Sequence, residues 1–61
     1  DQALIYLEKI VGLRPRNISY IMALAEMYEK LGRKEDARTT YSRVLEIDPL
    51  HIDVKHILKR F

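Results

Sequence analysis

Apolar residues recur along most of the chain at intervals of three and four, which is the spacing that places them on one face of an α-helix. No stretch keeps the alternation of apolar and polar residues that indicates a β-strand. Only two glycines and two prolines interrupt the pattern. The pattern therefore predicts an all-α protein whose four helices are separated at Pro15, Gly32 and Pro49.

The helix-breaking residues also set the expected bounds of the helices. Pro15 lacks a backbone N–H and restricts the residue before it, so the first helix should end near residue 13, and Pro49 should end the third in the same way. Asn17 is suited to cap the second helix, and Gly32 to end it in a left-handed conformation. We expect helices at about 2–13, 18–31 and 34–47, and a fourth from residue 50 or 52 to the end of the chain.

An internal repeat relates the two halves of the chain. Ala3 precedes Pro15 by 12 positions and Ala37 precedes Pro49 by the same 12, so the two copies are offset by 34 residues. The apolar positions of the first helix recur in the third at this offset: Leu7 with Tyr41, Ile10 with Val44, and Leu13 with Ile47. A period of this length is typical of stacked helical hairpins.

Seven residues within the second and third helices and the turn after them carry a more specific resemblance. They are Ile21, Leu24, Ala25, Tyr28, Ala37, Tyr41 and Pro49. Their spacing resembles the signature of the tetratricopeptide repeat, although Ile21 and Ala25 replace the usual aromatic residue and glycine. The resemblance implies antiparallel helical hairpins stacked as a short α-solenoid. In this register residues 18–51 form one complete repeat, 1–17 the second helix of a preceding repeat, and 52–61 a capping helix.

The small residues of this signature have a packing role. Ala25 and Ala37 should lie where the two helices of the repeat cross closely, with Leu24, Tyr28 and Tyr41 filling the space around the crossing. A bulky residue at either alanine should force the two helices apart.

The two ends of the chain should differ in how they meet solvent. In the last segment we expect an apolar stripe to face inward. Lys55 and Lys59 occupy the positions 34 residues after Ile21 and Ala25, so the other side of this helix should face water, as in the terminal capping helix of a solenoid. The stripe consists of Val54, Ile57, Leu58 and Phe61.

The first helix is instead apolar on more than one side, through Ala3, Leu4, Ile5, Tyr6, Leu7, Ile10, Val11 and Leu13. Either the chain is a fragment without its preceding helix, or a second copy covers this side through Leu4, Leu7 and Val11.

The resemblance also implies a partner-binding surface on the first helix of each hairpin. In this register the residues of the present sequence that would lie on that surface are Ser19, Met22, Ala23, Glu26, Glu29, Asp53, His56 and Arg60. The expected function is a protein-interaction scaffold module that binds a peptide or protein segment on this concave face, and Glu26 disfavours a ligand carboxylate there. The alternative for these residues is that they are solvated helix positions only.

Two other functions stay open. Asp36, Ala37, Arg38 and Tyr41 also resemble the half-a-tetratricopeptide repeats of RNA-processing scaffolds. The uncovered first helix would equally suit a self-assembling structural module.

Composition narrows these alternatives. The chain has 61 residues, a net charge of +2 and a sequence pI of about 9.1, without a strongly basic block, so nucleic-acid binding is not expected. The longest apolar run, residues 21–25, is far shorter than the ~20 residues that span a bilayer, so we expect no association with a membrane. The sequence leaves the compartment open, with the cytoplasm as the default. His51 and His56 lie five positions apart and so on different helical faces, and no HExxH or Cys/His spacing surrounds them. We expect no catalytic residues, metal or cofactor.

Overall fold

Four helices joined by turns of three or four residues make up residues 2–61, the part of the chain that this computed structural model describes. They are α1 (Gln2–Leu13), α2 (Ile18–Lys30), α3 (Lys34–Ile47) and α4 (Ile52–Lys59), and no strand occurs among these residues. The all-α class and the first three helices are confirmed, with α2 one residue shorter than predicted. Helix α4 ends before the terminus, because Arg60 is its C-cap. Asp1, which belonged to the predicted first segment, lies outside the described residues.

The turn between α2 and α3 is a Schellman motif built on Gly32. This glycine has φ of 78°, the left-handed conformation that a residue without Cβ adopts at little cost. Its N–H donates to the Glu29 carbonyl at 3.0 Å, and the Arg33 N–H donates to the Tyr28 carbonyl at 2.9 Å. Both bonds satisfy carbonyls at the end of α2, so Gly32 ends the helix as predicted.

The turns after α1 and after α3 have the same hydrogen-bonding pattern. The Asn17 N–H donates to the Arg14 carbonyl at 3.1 Å, and the His51 N–H donates to the Asp48 carbonyl, also at 3.1 Å. In each turn a proline occupies the second position, where its fixed φ is favourable. These two turns are 34 residues apart, so the internal repeat extends to the backbone conformation.

The residues that end these turns also cap the helices that follow. Asn17 Oδ1 accepts the N–H of Tyr20 at 3.2 Å, as the sequence predicted for α2. At the equivalent place before α4, His51 Nδ1 accepts the N–H of Val54 at 3.3 Å. The sequence analysis considered His51 only as a metal ligand and did not predict this cap.

The core lies where α2 packs between α1 and α3, and α4 continues the packing on α3. Ala25 and Ala37 are both fully buried in it, as expected for a close crossing of α2 and α3. The Cα atoms span only 13 Å in the thinnest direction, which fits two layers of helices. The buried hydrophobic residues are Leu4, Val11, Ile21, Leu24, Ala25, Tyr28, Ala37, Tyr41, Val44 and Val54.

One polar side chain, that of Thr40, is buried with this core. Its Oγ1 donates to the Asp36 carbonyl four residues earlier, at 2.7 Å. This local bond replaces the water that the hydroxyl loses on burial, so the threonine is tolerated inside the helix pair. Within residues 2–61 no buried side-chain nitrogen or oxygen lacks a hydrogen-bond partner.

Helix α1 buries only one of its apolar sides. Leu4 and Val11 are covered within the chain, whereas Ile5, Tyr6 and Leu13 are 54%, 65% and 76% exposed. The expectation that a second copy would bury Leu4 and Val11 is therefore wrong, because both already pack in the core of the same chain. The apolar residues of α1 that stay exposed are instead Ile5, Tyr6 and Leu13.

Helix α4 shows the expected division between an inner and an outer side. Val54 is fully buried, and Ile57, Leu58 and Phe61 are partly buried against the core. Lys55 and Lys59 are exposed. None of the helices in residues 2–61 combines the length and the apolar character needed to cross a membrane.

Candidate functional site

The eight residues predicted to contact a partner lie on the surface of α2 and at or just beyond α4. Most are exposed to solvent, and two on α2 are half-buried. We call these residues the α2–α4 face: the exposed Ser19, Glu26, Glu29, Asp53, His56 and Arg60, and the half-buried Met22 and Ala23.

Arg60 lies just beyond α4 rather than inside the helix. It is the C-cap residue, and its N–H donates to the Ile57 carbonyl at 3.1 Å. Its φ of −91° and ψ of −6° are still close to helical, so its side chain continues from the end of α4. The position 34 residues earlier is Glu26, which gives the two helices opposite charges at equivalent places.

The α2–α4 face contains a cavity of about 270 Å³. Its lining includes Glu29 from α2 and Arg60 from beyond α4, so the structure brings two of the predicted residues together. Ile57 and Phe61 contribute an apolar wall, and Lys34 adds a second positive charge. Lys34 and Phe61 were not predicted as surface-site residues.

The hydroxyl of Tyr41 lies next to this cavity and connects α3 with α2. It donates to Glu29 Oε1 at 2.5 Å, and the Tyr41 ring packs against Phe61 with the ring centroids 6.0 Å apart. Burial is the main cause that raises the pKa of Tyr41 above its ordinary value of 10.0, followed by the hydrogen bond and charge of Glu29. The charge of Glu26 raises the pKa further, and that of Arg60 lowers it. Charged groups of α2, together with Arg60 just beyond α4, therefore act on one buried hydroxyl.

A second tyrosine connects α2 with α1 in a similar way. The Tyr28 hydroxyl donates to Glu8 Oε2 at 2.7 Å. Burial first, and then the hydrogen bond to Glu8, raises the pKa of Tyr28, while the nearby Arg33 lowers it. The Arg33 guanidinium carbon lies 4.9 Å from the centre of the Tyr28 ring, and Arg33 Nη2 forms an ion pair of 2.7 Å with Asp36 Oδ2. These contacts hold the α2–α3 turn against the core.

Sequence reasoning missed both tyrosine–carboxylate pairs. Tyr28 and Glu8 are 20 positions apart, and Tyr41 and Glu29 are 12 apart, so helical periodicity does not relate them. One signal was present, because a tyrosine assigned to a core needs a partner for its hydroxyl. The signal does not say which of the nine acidic residues provides it.

Some of the charged groups at this cavity also take part in the packing of the helices. Glu29 accepts the Tyr41 hydroxyl and so joins α2 to α3, and Arg60 lines the same cavity from beyond the end of α4. In the described part of the chain no three His, Cys, Asp or Glu side chains are grouped so that they could hold a metal ion.

Comparison with known proteins gives one match. A family model described as tetratricopeptide repeat matches residues 1–60. This range includes all four helices and both of the equivalent turns. No curated protein and no solved structure matches the chain.

Proposed function

Because the chain belongs to the tetratricopeptide repeat family, we propose that it is a scaffold module that binds a peptide or a protein segment along the α2–α4 face. Members of this family are in general protein-interaction scaffolds, typically without catalysis. We extend that general role to a particular surface and to a ligand of particular charge. The module has no catalytic activity of its own in this proposal.

The observation that carries the proposal is the cavity that Glu29 and Arg60 share. At about 270 Å³ it is smaller than the 300–1,000 Å³ typical of sites that enclose a small molecule, and it suits one side chain of a longer ligand. The ligand would then continue along the exposed residues of α2 and α4. Such a ligand is an extended peptide or a helix.

The charges of the face define the ligand further. Glu26 and Glu29 make the α2 part acidic, and the half-buried Met22 adds apolar surface beside them. A basic or apolar segment complements this part, whereas a carboxylate would meet Glu26. Arg60 provides the positive end of the face. The preferred ligand thus carries Lys or Arg next to an apolar residue.

The test compares Glu26→Ala with a matched control in a binding assay against an array of basic, neutral and acidic peptides. Glu26 is exposed, so the variant should keep the helical circular dichroism of the wild type. We expect Glu26→Ala to weaken binding of basic peptides by about twofold to fivefold, the range of one exposed ion pair, with a smaller effect at high salt.

The control is Glu46→Ala, which removes the same side chain from an exposed position of α3 away from this face. It should leave peptide binding unchanged. Equal binding by the wild type and Glu26→Ala would contradict the role of Glu26, and an array without any bound peptide would contradict the proposal. Salt-sensitive RNA binding would instead favour an RNA-processing scaffold.

A further inference from the structure

A cleft of about 320 Å³ lies between the α1–α2 turn and the end of α3. Its lining consists of Pro15 and Arg16 from the turn and Arg43, Glu46 and Ile47 from α3. We call it the Arg16–Arg43 cleft. The two elements meet because α3 packs antiparallel to α2, which places the end of α3 beside the turn that precedes α2. The cleft shares no residue with the α2–α4 face.

The internal repeat shows that a preceding hairpin leaves the turn side of the cleft open. Pro49 and Leu50 lie 34 residues after Pro15 and Arg16, and the complete α2–α3 hairpin precedes them. Both are nevertheless exposed. The exposure of Pro15 and Arg16 is therefore a property of this turn in the repeat.

The same comparison applies to a following hairpin and the α3 side of the cleft. Lys9 and Gly12 of α1 lie 34 residues before Arg43 and Glu46, and the α2–α3 hairpin follows them. Both are exposed although this hairpin packs against α1 through α2. Neighbouring repeats on either side would thus leave the cleft accessible.

Both arginines of the cleft are free to bind a ligand. Among residues 2–61 the ion pair joins Arg33 to Asp36, and neither Arg16 nor Arg43 forms one, even with Glu46 in the same cleft. Arg43 is half-buried, so its guanidinium has already lost part of its water. A charged partner that bonds to a partly desolvated guanidinium gains more than one in open solvent.

The backbone that carries these arginines is held in place without a ligand. Pro15 fixes its own φ, and the Asn17 N–H donates to the Arg14 carbonyl at 3.1 Å across the turn that contains Arg16. On the other side, Arg43 lies within the regular helix α3. Binding would therefore cost little free energy for ordering the backbone.

The charges of the cleft indicate a carboxylate ligand. Two guanidiniums and the Glu46 carboxylate leave one positive charge, which a single carboxylate neutralises. A phosphate monoester, with about two negative charges, would be repelled more strongly by Glu46. A guanidinium also matches a planar carboxylate with two parallel N–H donors. The charged residues between positions 9 and 17 are all basic, which favours further acidic residues in the ligand.

The shape of the cleft indicates one side chain of a longer ligand. Pro15 and Ile47 supply apolar surface beside the guanidiniums. Arg16 and Glu46 are exposed, so the cleft opens to solvent and does not enclose a ligand as small-molecule sites do. An acidic side chain can lie between the arginines while an adjoining apolar side chain covers Pro15 and Ile47.

We propose that the Arg16–Arg43 cleft binds an acidic segment of a partner protein. A Glu or Asp carboxylate of that segment accepts N–H bonds from Arg16 and Arg43, and a neighbouring apolar residue contacts Pro15 and Ile47. The module would then hold segments of opposite charge at two separate surfaces. This site goes beyond the proposed function of the α2–α4 face and does not depend on it.

The test is an NMR titration of the ¹⁵N-labelled full chain with two short capped peptides. One has a Glu followed by a Leu in a glycine background, and the other has Gln in place of Glu. At low salt we expect the Glu peptide to bind about fivefold to tenfold more tightly, the range of a hydrogen bond to a charged group. The largest chemical-shift changes should fall on the Nε–H groups of Arg16 and Arg43.

Two substitutions locate the site. Arg43→Gln removes one charge and should weaken binding of the Glu peptide about fivefold. Arg38→Gln is the matched control, because Arg38 is exposed on α3 and does not line the cleft, and it should leave binding unchanged. If Arg43→Gln loses the helical circular dichroism of the wild type, Arg16→Gln replaces it, since Arg16 is exposed on a turn.

Four results would overturn the proposal. Equal binding of the two peptides, or Glu-peptide binding that the arginine substitution does not weaken, would exclude the carboxylate contact. Sodium acetate that binds as tightly as the Glu peptide would reduce the cleft to a site for free anions. A wild-type dimer in sedimentation velocity that Arg43→Gln dissociates would assign the cleft to a second copy.

The two surfaces can be tested separately. Glu26→Ala should leave binding of the Glu peptide unchanged, and Arg43→Gln should leave binding of basic peptides unchanged. Failure of this proposal and failure of the α2–α4 face are therefore distinguishable.

Discussion

Replacing Tyr41 by Phe removes one hydroxyl from the contact between α3 and α2 and leaves the ring in place. Tyr41 is 1% exposed, and its hydroxyl donates to Glu29 Oε1 at 2.5 Å. The phenylalanine ring would keep the contact with Phe61 and most of the buried apolar surface. The substitution therefore isolates the hydrogen bond to a carboxylate.

The expected loss in the free energy of unfolding is about 1.5 kcal/mol, the lower end of the range for hydrogen bonds to charged groups. The lower end applies because Glu29 is exposed and water can solvate its carboxylate once the hydroxyl is gone. For a chain of this size the melting temperature should fall by roughly 10 °C. Thermal and urea unfolding followed by circular dichroism at pH 7 measure both quantities.

The pH dependence gives a second, independent measure of the same contact. Burial and Glu29 raise the pKa of Tyr41 in the folded state above 10.0, so the folded state holds this proton more tightly than the unfolded chain does. The resulting stabilisation is fully present below pH 10 and is lost as the pH rises through the folded pKa. The stability difference between the wild type and Tyr41→Phe should therefore be constant from pH 7 to 9 and should shrink above pH 10.

Tyr6→Phe is the matched control, because it removes the hydroxyl of a tyrosine that is 65% exposed on α1. This variant should unfold at the wild-type urea concentration. The reasoning is refuted if Tyr41→Phe and Tyr6→Phe are equally stable at pH 7. It is also refuted if the difference between the wild type and Tyr41→Phe grows above pH 10.

Three further substitutions test the fold. Ala37→Trp should unfold the α2–α3 pair, because Ala37 is fully buried and an indole has no space there; loss of helical circular dichroism measures this, and a folded variant would contradict the close crossing. Gly32→Ala should cost about 1 kcal/mol in urea unfolding, because φ is 78°, and an unchanged midpoint would exclude the left-handed turn. Asn17→Ala should also cost about 1 kcal/mol through loss of the bond to the Tyr20 N–H, whereas Asn17→Asp should retain stability.

Local sequence was sufficient for the bounds of the first three helices, to within one residue. Pro15 and Pro49 constrain their own backbone and that of the preceding residue, and Gly32 adopts a left-handed φ, in whatever tertiary structure surrounds them. For the same reason the Asn17 cap was predictable. The cap at His51 was not, because histidine has no strong preference for this position and caps α4 here through Nδ1.

The repeat carried the prediction from helices to packing. The resemblance to the tetratricopeptide signature placed Ala25 and Ala37 at a helix crossing, and both are fully buried in the structure. The candidate face on α2 and α4 came from the same register. The register did not predict the cavity that Glu29 and Arg60 line, because this cavity depends on how the end of α4 lies against α2 and α3.

The sequence by itself determined, to within one residue, where the first three helices begin and end, which residues share a helical side, and the repeat that relates the two halves of the chain. Tertiary structure alone decided which apolar side of α1 is buried, because apolar residues lie on several sides of that helix and periodicity does not choose among them. It also paired the hydroxyls of Tyr28 and Tyr41 with Glu8 and Glu29. Those bonds join residues on different helices, and only the packing of the helices brings their atoms within hydrogen-bonding distance.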